Sequence, residues 1–201
     1  TKVVKMLQDK DRIYDFIRLY KEKNYQFGWR ATSRVAYMRE RYIDDDMLKQ
    51  LEEINLETLK FGVESGSQRV LNFIKKGQKV EWISEAVNRV SRSKVNGSFS
   101  FMIGMPTEVY DEYVETLMIL KKIIDSDKKF EVIGPQYFRL YPGGDLYNHA
   151  LKEGYIGKPN TLEEYGEVFR KDRLGVNHYM PYPWIERKAR YLTRHAKWLL
   201  Y

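Results

Sequence analysis

Phe61-Gly62-Val63-Glu64-Ser65-Gly66-Ser67 is the stretch that decides the fold. Leu59, Phe61 and Val63 recur at every second position, the period of a strand with one buried face. Gly62 and Gly66 permit a close backbone approach or a positive φ. Ser67 stands where a helix N-cap belongs and is expected to accept a bond from an early N–H of a helix that begins at Gln68. The stretch therefore reads as a strand running through a tight turn into a helix. Glu64 is the residue that packing does not ask for. A carboxylate at the carboxyl end of a strand in an α/β fold stands where ligands bind. A solvated loop carboxylate is the plainer alternative.

Outward from that turn, strand and helix patterns alternate. On the amino side, residues 3–23 have a helical period with Ile13, Phe16, Ile17 and Tyr20 on one face. Residues 26–32 make a strand expected to end at Trp29-Arg30. Residues 44–56 make a helix whose Asp44-Asp45-Asp46 start suits the positive end of its dipole. On the carboxyl side, a short helix over 68–75 stops at Gly77, and a longer one spans 81–94. Asn96-Gly97 reads as a turn. A strand over 98–104 and a helix over 108–126 follow. Another strand lies within 132–141, centred on 136–140. Tyr141-Pro142-Gly143-Gly144 reads as a loop before a helix over 145–152. Residues 155–182 carry only a weak, tyrosine-rich pattern, and 184–200 form a last amphipathic helix. Strands alternating with helices imply parallel strands joined by helical crossovers. Four such strands amount to about half of a barrel, with an edge and an apolar surface left to cover.

The 201 residues suffice for one domain with a sizeable core. Lys and Arg number 35 against 28 Asp and Glu, a net charge of +7. The densest cluster is Arg187, Lys188, Arg190, Arg194 and Lys197. That excess suits acidic ligands, nucleic acid or an acidic neighbouring domain and does not choose among them. There is no cysteine, which excludes a disulfide framework and any thiolate-held metal within this chain. No run of about 18 apolar residues could span a membrane, and no signal peptide is visible, so the cytoplasm is the expected location. The chain starts at Thr1 in a helical pattern, and is expected to be a piece of a longer polypeptide.

Ligands of such folds lie across the carboxyl ends of the strands. Those ends are expected to carry Arg30, then Glu64, Ser65 and Ser67, then Gly104-Met105-Pro106, then Arg139, Tyr141 and Pro142. Arg30 and Glu64, on neighbouring strands, could pair or hold opposite ends of a zwitterion. Lys75-Lys76 could return to the same rim after one short helix. Plainer readings stand beside these: a structural ion pair, a strand terminator and a solvated helix end. His149, His178 and His195 are too scattered for a metal triad.

Four motifs in order resemble the second half of a radical S-adenosylmethionine (SAM) domain. They are Trp29-Arg30, Gly62-Val63-Glu64-Ser65-Gly66-Ser67, Phe101-Met102-Ile103-Gly104-Met105-Pro106-Thr107-Glu108 and Tyr141-Pro142-Gly143-Gly144-Asp145-Leu146-Tyr147. The closer likeness is to the cobalamin-associated group that includes the anaerobic Mg-protoporphyrin monomethyl ester cyclases. Thr107, Val109 and Gly144 depart from that pattern, which usually has Gly, Thr and Thr there. The resemblance covers residues 1–155 and leaves 156–201 as a C-terminal helical extension. It implies an α/β fold, part of a (β/α)6 partial TIM-type barrel. It also implies SAM contacts from Arg30, Glu64, Ser65, Lys76, Ser100, Met102 and Tyr141, with Lys76 meeting the SAM carboxylate.

The family's Cys-Xaa-Xaa-Xaa-Cys-Xaa-Xaa-Cys motif, which holds a [4Fe–4S] cluster, has no counterpart in this chain. The resemblance therefore implies an enzyme whose cluster ligands precede this segment, a cobalamin domain upstream by likeness to the cobalamin-associated group, and a fragment that is inactive alone. Its partners would be that missing N-terminal half and a small-molecule substrate, with nucleic acid not expected. A non-catalytic interaction module built on the basic C-terminal helix is the alternative from another class. An ordinary phosphate-binding barrel is a third, weakened because no loop looks like a phosphate cradle.

Overall fold

The computed structural model describes residues 9–138, 143–153, 159–173, 187–189 and 191–192. In chain order the elements are α1 (Lys10–Glu22), β1 (Trp29–Ser33), a 3-10 turn (Val35–Met38), α2 (Asp45–Glu53) and β2 (Leu56–Glu64). Then come α3 (Gln68–Phe73), α4 (Glu81–Ser91), β3 (Asn96–Ile103) and α5 (Tyr110–Ser126). β4 (Phe130–Tyr137), α6 (Gly144–Lys152) and α7 (Leu162–Arg173) complete the set.

The strands form one parallel sheet in the order β1-β2-β3-β4. Crossovers of one hand between strands in sequence order put every connecting helix on the same face. Burial follows that rule. Ala31, Leu59, Phe61, Val63, Phe99 and Phe101 point to the helices and are buried. They pack with Ile13 and Ile17 of α1, Leu48 and Leu51 of α2, Val90 of α4 and Leu120 of α5 in one core. Phe61 and Phe99 stack at 5.1 Å across β2 and β3, and Phe130 meets Phe99 edge-on at 5.2 Å.

Residues that alternate with these, among them Arg30, Thr32, Lys60, Gly62, Ser100 and Met102, are exposed or half-buried. Parallel sheets in α/β proteins are ordinarily covered and apolar on both sides. This sheet has one apolar, helix-covered face and one polar, open face. A four-stranded parallel sheet with its helices on one face is consistent with part of an α/β barrel.

Local chemistry explains most boundaries. Asp44 caps α2 by accepting a bond from the Met47 N–H at 2.8 Å and pairs with Lys10 at 2.6 Å. The Lys10 bond holds its carboxyl below the usual carboxylate range. Arg89 is buried and donates to the carbonyls of Met38 (2.5 Å) and Ile43 (2.8 Å) and to Asp45 (2.8 Å). It thereby fixes the loop that leaves β1. The Arg39 guanidinium lies 3.8 Å over the Trp82 ring and ties that loop to α4.

Several expectations need correction. Trp29-Arg30 begins β1 instead of ending it. Trp29 is anchored there, with Nε1 donating to the Ile54 carbonyl at 2.7 Å and the ring edge-on to Phe16. Asn96-Gly97 is no turn but the first two residues of β3. A Cβ on Gly97 would fall 2.6 Å from the Phe99 ring, so packing and not turn geometry asks for glycine. β4 runs over Phe130–Tyr137, earlier than expected, because Phe130 and Val132 pack against the core. α7 occupies part of the stretch expected to be irregular. No helix among the described residues is long and apolar enough to cross a membrane.

Candidate functional site

β2 ends in Glu64, which adopts φ 71°, a left-handed conformation that costs a non-glycine residue about 1–2 kcal/mol. Its Oε1 accepts a bond from Lys76 Nζ at 2.6 Å. The two side chains are 14% and 22% exposed. Lys76 reaches back because α3 is short and the chain turns at Gly77 (φ 63°). Gly62 lies directly beneath the pair. A Cβ there would fall 2.5 Å from Glu64 Oε1 and 3.0 Å from Lys76 Nζ. The glycine thus makes the niche in which carboxylate and ammonium sit side by side on the open face.

β3 forms the next wall. Gly62 pairs with Ser100, and the register shifts before Glu64 meets Phe101. Ser100 Oγ donates to the Phe61 carbonyl at 3.2 Å. Met102 follows on the same face, opposite Gln136 of β4. Glu64, Lys76, Ser100 and Met102 therefore share one end of the open face.

Other expected site residues are not brought there. Arg30 stands opposite Thr58, six positions before Glu64 on β2, which places the two about 20 Å apart along the strands. Arg30 is exposed and pairs with Glu57 at 3.5 Å. The expected Arg30–Glu64 pair does not form. Ser65 is fully buried, with Oγ 3.1 Å from Thr116 Oγ1 and accepting the Ser67 N–H at 3.0 Å. It stabilises the turn and does not reach the open face. Ser67 makes no side-chain cap; its hydroxyl donates to Glu112 instead. Lys75 projects to the surface and pairs with Asp145 at 2.6 Å. Tyr141, Arg139 and Pro142 lie outside the described residues.

Sequence reasoning missed a buried acidic layer under the rim. The Glu108 carboxylate accepts the N–H groups of Gly104 and of Met105, the latter at 3.0 Å, and so shapes the turn at the end of β3. Its other oxygen has no partner among the described residues. Burial pushes its carboxyl up to about 7. Burial would also push Glu112 up, but its bonds with Arg69 outweigh that and hold it below the usual range. Arg69 bonds Glu112 at 2.5 and 2.6 Å and also takes the Thr107 carbonyl at 2.8 Å. Thr107 sits at φ 67°, where glycine is the easier residue, and this clamp is what holds it. Gly104-Met105-Pro106 followed by Glu108 was the available signal: a carboxylate just after a turn can bond that turn's free N–H groups. Arg34, at the true end of β1, was missed because the strand was ended too early.

An ammonium and a carboxylate side by side complement a zwitterionic amino acid, whose carboxylate faces Lys76 and whose ammonium faces Glu64. The methionyl part of SAM is such a group, and Ser100 and Met102 offer a hydroxyl and an apolar surface beside it. The residues present fit SAM. They do not fit a [4Fe–4S] cluster, since the chain contains no thiolate.

Comparison with known proteins decides the family. The profile of the radical SAM superfamily matches residues 7–120, more than half of the chain. The chain belongs to the radical SAM superfamily. Among curated relatives of this radical SAM chain, an uncharacterised methyltransferase of Pyrococcus horikoshii is 30% identical over 148 residues, which is 74% of this chain and 30% of that protein. A tRNA-2-methylthio-N(6)-dimethylallyladenosine synthase of Buchnera aphidicola is 27% identical over 124 residues, 55% of this chain and 28% of that protein. A putative methylthiotransferase of Methanocaldococcus jannaschii is 30% identical over 82 residues, 41% of this chain and 18% of that protein. The chain spans less than a third of the length of these relatives.

Proposed function

We propose that this chain is the later part of a (β/α)6 radical SAM barrel and that it positions SAM and substrate for a group-transfer enzyme. The observation that carries the proposal is the Glu64–Lys76 pair, set over Gly62 at the carboxyl end of an open polar face. Lys76 would hold the SAM carboxylate, Glu64 its ammonium or ribose hydroxyls, and Ser100 and Met102 would line the nucleoside side. SAM bound beside a reduced cluster supplies a carbon-centred radical. This chain's part is to orient the methionyl group and to keep the strand-end turns in shape through Glu108 and Arg69. The cluster's cysteines would come from elsewhere in the same polypeptide. Residues 1–155 would form this half of the barrel and 156–201 a helical extension.

Relatives named for methyl and methylthio transfer favour group transfer over oxidative cyclisation. A cobalamin domain elsewhere in the polypeptide belongs to the proposal through motif likeness alone. The test is anaerobic reconstitution of the full-length protein with iron and sulfide. The expected result is a [4Fe–4S] signal, dithionite-dependent 5′-deoxyadenosine, and SAM binding weakened at least tenfold by Lys76→Met. A folded full-length protein that shows neither cluster nor cleavage refutes the reading and favours an interaction module.

A further inference from the structure

β1 delivers a second cation to the same rim. Ser33 pairs with Phe61, and both point to the helices. Arg34 continues in extended conformation (φ −101°, ψ 146°), so it comes level with Gly62 and projects to the open face. Its guanidinium is placed by Gly77: Nη2 lies 3.6 Å from where a Cβ on that glycine would stand. The residue is half-buried. Among the described residues no carboxylate pairs with it, and the nearby Glu64 is taken by Lys76.

A guanidinium is charged at every accessible pH, and half-burying it without a counter-ion is unfavourable. Elsewhere among the described residues the half-buried or buried arginines have partners. Arg89 holds two carbonyls and Asp45, and Arg39 holds the Ala36 carbonyl and the Trp82 ring. Arg34 is the exception, and it stands at the end of the sheet where ligands bind.

We propose that Arg34 is a specificity-determining residue that binds an oxyanion of the substrate, a phosphate or carboxylate, across Gly62 from the Glu64–Lys76 pair. This rests on the radical SAM reading of that pair. One cation serves the single carboxylate of SAM, and Lys76 already fills that place. Arg34 lies on the β1 side of Gly62, whereas Ser100, on the proposed nucleoside side, lies across Gly62 on β3. Its fork of N–H donors matches an oxyanion in a way that a lysine does not.

The test uses the full-length protein with Arg34→Gln and Arg34→Lys, titrated with pyrophosphate in the presence of saturating S-adenosylhomocysteine, and separately with SAM. The expected result is pyrophosphate binding weakened at least tenfold in Arg34→Gln and partly restored in Arg34→Lys. SAM affinity should stay within about twofold, and thermal midpoints should be unchanged because no internal bond is lost. Equal pyrophosphate binding in all three proteins, or none in the wild type, overturns the proposal. So does a tenfold loss of SAM affinity in Arg34→Gln, which would give Arg34 to SAM. Arg34-dependent pyrophosphate binding in a protein that neither binds nor cleaves SAM would overturn the radical SAM reading and leave the oxyanion site standing.

Discussion

Replacing Glu108 by Gln tests whether the acid under the β3 turn is a protonated hydrogen-bonding group. Glu108 is buried, accepts the Gly104 and Met105 N–H groups, and has a carboxyl raised by burial from 4.5 to about 7. The folded state therefore holds a proton that the unfolded chain has already released between those pH values. Where the folded state binds more protons, stability falls as pH rises. At about 1.4 kcal/mol per pH unit, ionising Glu108 in place costs roughly 3 kcal/mol, spread between about pH 4.5 and 7. Gln keeps an oxygen for both N–H donors and cannot ionise. Urea unfolding of both proteins at pH 4.5, 6 and 8 should give similar stabilities at the lowest pH. Glu108→Gln should be the more stable by roughly 3 kcal/mol at pH 8. Every other titrating group is common to the two proteins, so the difference isolates Glu108. A difference that stays constant across that range would refute the argument.

Three further outcomes follow from the packing. Gly66→Ala puts a Cβ 2.6 Å from the Glu115 carbonyl oxygen and 2.8 Å from the Thr116 Cα. Neither backbone atom can swing away, so a loss of about 2–3 kcal/mol is expected, read as a fall in thermal midpoint. Gly62→Ala meets only the ends of two flexible side chains. Stability should change by under about 1 kcal/mol while SAM binding drops about tenfold, which calorimetry on the full-length protein would check. Arg89→Leu strips the donors from the buried Met38 and Ile43 carbonyls and should cost about 3 kcal/mol in chemical denaturation.

The alternation of Leu59, Phe61 and Val63, the apolar faces of the helices and the motif order were enough to expect a parallel α/β fold and its family. These are local signals, because burial of one face imposes a period on the chain wherever it lies. Spacing put Glu64 at a strand end and let Lys75-Lys76 return to its rim, but it did not say which lysine would; in the fold Lys76 meets Glu64 and Lys75 turns to Asp145. The burial of Glu108 and Glu112 was not legible in the sequence. Glu112 takes its role from Arg69, 43 residues away in sequence and near it only after folding.

What tertiary structure decided was which side chains reach the open face. Ser65 and Ser67 flank the key turn, yet both turn inward, toward Thr116 and Glu112 on α5. The strand-end arginine is Arg34 and not Arg30, because β1 runs from Trp29 to Ser33. Side chains alternate every residue in a strand and strands advance about 3.3 Å per residue, so a boundary misread by a few positions moves a charge from one end of the sheet to the other. Sequence fixes the period of burial in this chain; the neighbouring strands and helices fix its register, and register is what assembles the site.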